Sequence, residues 1–177
     1  PGNGLFIIYS EGFMADKKII AVVGATGAQG GGVVRAILAD PSGGFTVRAI
    51  TRNVDSEKAK ELAKLGAEVV AANVNDVESL KRAFKGAYGA FCVTFFWEDF
   101  SPENEIAQAT NMARAAKETG VQHAIWSTFE DTRKYIPLTD NRMPTLMGKY
   151  KVAHIDAKAE ANQAFTDLGV PTTFLLT

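Results

Sequence analysis

Gly24-Ala25-Thr26-Gly27-Ala28-Gln29-Gly30 is the segment that most limits what this chain can fold into. It follows a short apolar run, Ile19 to Val23, and opens a stretch in which Val33, Val34, Ile37 and Leu38 recur at helical spacing. Glycines placed between a strand and a helix serve a tight turn and a close approach to the backbone. Gly24 permits the turn, Gly27 leaves the backbone uncovered, and Gly30 lets the helix lie close against the strand. The amides of the first helical turn have no partner inside the helix and carry the positive end of its dipole. Together with Thr26, Ala28 and Gln29, they form the expected cradle for the pyrophosphate of a dinucleotide.

The rest of the chain repeats the same alternation of apolar runs and amphipathic stretches, the pattern of a parallel sheet covered by helices. Strands are expected at Thr46 to Thr51, Ala67 to Ala71, Tyr88 to Thr94, His123 to Ser127 and Thr172 to Leu176. Helices are expected from Asp55 or Ser56 to Gly66, from about Val77 to Lys85, from about Glu103 to Thr119 and from about Ala153 to Leu168. The predicted fold is an α/β, Rossmann-type, doubly wound parallel sheet over residues 14–177, with residues 1–13 read as a leader, tag or upstream extension before Met14. Asp131 to Lys149, with Pro137 and Pro144, fits neither period and reads as a loop over the ligand cleft. Because Thr177 directly follows the sixth strand, the reading is of a chain truncated before a C-terminal substrate region.

Charge and cysteine content narrow the function. The formal net charge of −1 has both signs interspersed, so neither nucleic acid nor an anionic membrane is an expected direct partner. The single cysteine, Cys92, lies in an apolar run; it excludes an internal disulfide and a multi-cysteine metal site, and as a buried strand thiol it is expected to be inert. No apolar run approaches the roughly 18 to 20 residues that cross a bilayer. A cytoplasmic location, with the nucleus as a second, is the expectation, and no metal is expected.

Cofactor choice is read at the end of the second strand. A site for NAD(H) usually places an acid there to accept from the ribose 2′-hydroxyl. This chain has Thr51-Arg52-Asn53 instead, and the planar guanidinium of Arg52 suits the 2′-phosphate of NADP(H) and the face of the adenine. The competing reading is a solvated arginine or a surface ion pair with Asp55 or Glu57.

With these residues in place, the chain resembles the NmrA-like family of atypical short-chain dehydrogenase/reductase relatives from about Lys17 onward. The resemblance rests on Val22 to Gly30, Thr51-Arg52-Asn53, Gly66-Ala67-Glu68-Val69-Val70, Val93-Thr94 with Trp97-Glu98, and His154-Ile155-Asp156-Ala157-Lys158. It implies NADP(H) binding and, in several members, regulation of other proteins in response to the cofactor's redox state. It also implies that Asn73, where the family often has an aspartate, meets the adenine edge, although Asn75 or Asp76 capping the next helix competes with that reading. Thr94 and Phe95 would pass the ribose and nicotinamide, with core packing as the alternative for Phe95 and Phe96.

Lys158 matches the lysine that, in catalytic short-chain reductases, bonds the nicotinamide ribose and lowers the pKa of a tyrosine four residues earlier. Here that position is His154, a residue able to act as a general acid near neutral pH or to be merely an exposed helix residue. Ser127, or less readily Thr128, would be the carbonyl-polarising hydroxyl, and Tyr150 is a further candidate. The expected function is that of a dinucleotide-binding, redox-sensing regulator with a protein partner or a homodimer as its output. The alternative is an NADP-dependent quinone or carbonyl reductase using Lys158, His154 and Ser127.

Overall fold

In a computed structural model that describes residues 17–177, β1 (Lys18–Val23), β2 (Phe45–Thr51), β3 (Glu68–Ala71), β4 (Gly89–Cys92), β5 (His123–Thr128) and β6 (Thr172–Leu176) form one sheet in the order β3-β2-β1-β4-β5-β6. All neighbours are parallel, with Val22 opposite Ala49 on one side and Phe91 on the other. The leader read at residues 1–13 lies outside the described residues. Among the described residues no helix is long and apolar enough to cross a membrane.

The strand order fixes where the helices lie. Right-handed crossovers that step from β1 to β3 put α1 (Ala28–Ala39) and α2 (Glu57–Lys64) on one face. Crossovers that step the other way put α3 (Val77–Phe84), α5 (Pro102–Glu118) and α6 (Ala153–Asp167) on the opposite face. Two cores follow: Val22, Val34, Val47 and Leu62 under the first pair, and Val23, Phe84, Met112, Trp126 and Phe165 under the second group. Beyond α1 the first face is thinly covered, and a groove of about 500 Å³ there is lined by Ile37, Tyr88, Phe91, Ile125 and Leu175 among others.

Two expectations are corrected. The fourth strand is shorter than Tyr88 to Thr94, because the ladder ends at Cys92 and the chain continues as Val93, Thr94 and a short helix, α4 (Phe96–Asp99), toward the cleft. The 131–149 segment forms a brief 3-10 turn at Thr132–Lys134 and a bridge from Leu146 to Tyr150, but it is fastened to α6 instead of lining the ligand cleft. The buried Asp156 carboxylate accepts from the amides of Thr132, Lys151 and Val152, and Arg133 pairs with Glu160 at 2.7 Å. The Lys151 ammonium completes the attachment by donating to the carbonyls of Asp140 and Met143.

Candidate functional site

The strand order reverses between β1 and β4, and in open parallel sheets a crevice forms at such a point beyond the carboxyl ends of the strands. Here it is a cleft of about 390 Å³ running from Val23, Gly24, Thr26 and Gly27 past Thr51, Arg52 and Lys58 to Phe95 and Glu98. Gly24 holds φ at +67°, and a Cβ on it would lie 3.1 Å from the side chains of Val93 and Phe95 across the switch point. A Cβ on Gly30 would meet the backbone of Gly24 and come within 2.8 Å of the Val23 carbonyl, so the helix lies as close to β1 as a backbone permits.

The amino end of α1 differs from those of α2, α3 and α5. Ser56 caps α2, Asp76 caps α3 with bonds to the amides of Glu78 and Ser79, and Ser101 caps α5. At α6 the capping residue Val152 offers no side-chain bond either, but an acid, Asp156, stands in the first turn. At α1 the capping residue is Gly27, which has no side chain to offer, and the first turn contains no acid. The first-turn amides and the positive end of the dipole thus have no side-chain partner, next to Thr26 and Gly27 on the cleft wall, an arrangement suited to a phosphate.

At the β2 end stand two cations, Arg52 and Lys58, beside Ser56 and Asn53. Arg52 is paired, though with neither of the acids adjacent in sequence: its Nη1 and Nη2 donate to the two carboxylate oxygens of Glu98 at 2.7 and 2.6 Å. Asn73 is exposed; its Oδ1 accepts from the Asn75 amide and Asp76 caps α3, while its neighbours Ala72 and Val74 line the cleft. Phe95 combines both roles read for it, since it lines the cleft and packs against the two cores.

The β4–β5–α6 end is buried and ionisable. Thr94 donates through its hydroxyl to Glu105 Oε1 at 2.5 Å, and Lys158 Nζ lies 3.9 Å from that same oxygen while donating to the Ser127 carbonyl at 3.1 Å. Glu105 is 1% exposed, Lys158 7%, and Glu105 Oε2 has no hydrogen-bond partner. Burial pushes the Glu105 carboxyl up and the Lys158 ammonium down, each opposed by the charge of the other. The Ser127 hydroxyl, fully buried, donates to the Gln29 side chain at 2.7 Å and so ties β5 to the glycine turn.

His154 is half-buried and not an exposed helix residue. Its ring sits among Trp97 (centroids 4.8 Å apart), Phe96 and Phe129, and burial, then the Lys158 charge, lowers its pKa below the ordinary value. The neutral imidazole is therefore the form present at neutral pH. The Tyr150 hydroxyl faces Glu160 at 3.5 Å and is not brought to Lys158. Sequence reasoning missed Glu105, Lys58 and the part played by Glu98; acids and lysines at helical positions give no sign in sequence of whether they turn inward.

The NmrA-like family pattern matches residues 16–177. The chain belongs to the NmrA-like family. Among relatives, the NmrA-like family domain-containing oxidoreductase FrzB of a Cladobotryum species is 35% identical over 85% of this chain and 45% of its own length. The malD oxidoreductase of Malbranchea aurantiaca is 35% identical over 90% of this chain and 48% of its own length. The chain thus spans about half the length of the relatives it matches. The solved structure of NmrA, a negative transcriptional regulator, in complex with NADP is similar at a TM-score of 0.71 and 31% identity, over 90% of this chain and 44% of that one. The same protein has been solved with NAD.

Proposed function

We propose that this NmrA-like chain binds NADP(H) in the β1–β4 cleft and acts as a redox-sensing regulator, its cofactor state read by a protein partner or a second copy, with little or no dehydrogenase activity. One observation carries the cofactor reading: the uncapped, acid-free amino end of α1 opens onto the same cleft as Arg52 and Lys58. The first offers amides to a pyrophosphate, and the second pair offers cations to a 2′-phosphate. Gly24, Thr26, Gly27, Ala28, Gln29 and Gly30 would hold the diphosphate, Arg52 and Lys58 the adenosine phosphate, and Thr94, Phe95 and Lys158 the nicotinamide riboside. The bound nucleotide would supply the hydride chemistry, and the chain its position and surroundings.

Three features support regulation over turnover. The tyrosine position holds His154, whose imidazole is kept neutral and packed among rings. The Ser127 hydroxyl is engaged by Gln29, and Tyr150 faces Glu160. NmrA, similar over most of this chain, is described as a negative transcriptional regulator. A second reading, an NADP-dependent quinone or carbonyl reductase, draws on the buried Lys158 and on relatives named as oxidoreductases.

Titration of the purified chain with NADPH and with NADH, followed by cofactor fluorescence, tests the first reading. NADPH should bind more tightly, and Arg52→Ala should narrow the preference. Equal affinity would remove Arg52 from the site. Consumption of NADPH with a quinone acceptor well above background, lost on Lys158→Met, would replace the regulator by the reductase.

A further inference from the structure

The acid that the sequence lacks after β2 is supplied in space from α4. Glu98 and Arg52 are 46 positions apart, yet their side chains meet in a bidentate pair on the wall of the cleft, 40% and 60% exposed. Glu98 is well placed from behind. Phe96, 8% exposed, packs with Tyr150 and Ala153; Trp97 lies on His154; and Asp99 accepts from the Asn104 side-chain amide. The backbone of α4 is therefore anchored while the carboxylate reaches across to the guanidinium, which also lies 5.9 Å from the Phe95 ring centroid.

A bidentate partner occupies the donors that a phosphate would use, and a carboxylate beside a dianion repels it. The same carboxylate is an acceptor for a ribose 2′-hydroxyl, the role an acid at the end of the second strand has in sites for NAD(H). We propose that Glu98 is the specificity-determining residue of this cleft: it competes with the 2′-phosphate for Arg52, penalises NADP(H), and supports NAD(H), so that the choice between the two cofactors is set by one ion pair. This rests on the dinucleotide reading above. Lys58, which also lines the cleft and is not paired with Glu98, remains available to a 2′-phosphate, so the competition is expected to narrow the preference for NADP(H) without reversing it.

The test is a set of NADPH and NADH titrations on the unaltered chain, Glu98→Gln and Glu103→Gln. The last removes an equal charge from an exposed position on α5 outside the cleft. Glu98→Gln should bind NADPH about two- to fivefold more tightly, the size expected for release of a half-exposed pair, and should not tighten NADH. Glu103→Gln should leave the ratio of affinities unchanged. If NADPH is preferred by the unaltered chain but Glu98→Gln moves both cofactors together or neither, the inference falls and the cofactor reading stands. If Glu103→Gln shifts the ratio as much as Glu98→Gln does, net charge alone is responsible and the inference falls. If none of the three proteins binds either nucleotide, the cofactor reading falls and takes the inference with it.

Discussion

The two ends of the cleft handle charge in opposite ways. At the β2 end, Arg52, Lys58 and Glu98 are exposed to water and arranged as donors and acceptors around an opening. At the β5 end, Glu105 and Lys158 are buried beneath α5 and α6, at the expense of desolvating both charges, with Thr94 and the Ser127 carbonyl as their remaining partners. An exposed pair can exchange its partner for a ligand at little cost, whereas a buried pair cannot lose one member without stranding the other. Exposure thus leaves the first pair free to separate, and burial holds the second in a fixed geometry.

The largest effect should come from breaking the buried pair. Lys158→Met leaves Glu105 without a counter-charge and is expected to cost about 3–5 kcal/mol in denaturant unfolding at neutral pH. Lys158→Met combined with Glu105→Gln should recover most of that loss, because no lone charge then remains inside. Additive costs would mean that the two groups do not interact. The pH dependence has a definite sign. A carboxyl whose folded pKa is raised costs stability when ionised, fully so above that pKa, and the cost disappears as the pH falls toward 4.5. The penalty of Lys158→Met should therefore shrink with acidification, and a penalty constant between pH 7 and pH 5 would be evidence against a buried carboxylate as its source.

A smaller effect, of about 1–3 kcal/mol, is expected from Gly30→Ala, whose Cβ would press on the Val23 and Gly24 backbone where neither side can give way. Two residues further along α1, Gly32 has nothing within 4 Å of its Cβ position, and Gly32→Ala should stabilise the chain by roughly 0.5–1 kcal/mol. Thermal unfolding of the two variants separates close packing at the turn from helix propensity. Destabilisation by both would mean that contact with the glycine turn is not what sets Gly30 apart from Gly32.

How much of this was legible in the sequence follows from the range of the interactions. Strand, glycine turn and helix are encoded within Ile19 to Leu38, and the sheet follows from the repetition of that unit, so both were readable from local periodicity. The short α4 was not, because four residues carry no period. Nor was the placement of 131–149, which depends on Asp156 accepting amides from the segment before α6. The site divided in the same way. Arg52 could be placed at the end of its strand, but its partner Glu98 comes from the far side of the switch point, and Glu105 looks in sequence like any other acid in the first turn of a helix. Long-range pairing of charged groups leaves no local pattern, and both ends of this cleft contain such a pair.

The smallest expected effect completes the comparison. The Arg52–Glu98 pair has better geometry than Glu105–Lys158, with two bonds of 2.7 and 2.6 Å against a single approach of 3.9 Å, and distance alone would rank it as the stronger. Exposure reverses the ranking: water solvates both partners when they separate, so a double-mutant cycle with Arg52→Ala and Glu98→Ala should give a coupling of only about 0.2–1 kcal/mol in unfolding. Added salt at about 1 M, where the Debye length is about 3 Å, should reduce that coupling further and leave the buried pair's coupling nearly intact. A coupling at Arg52–Glu98 equal to that of the buried pair would make it a structural clamp, and a ligand phosphate could then displace it only at a cost that the exchange of partners at this end of the cleft does not allow.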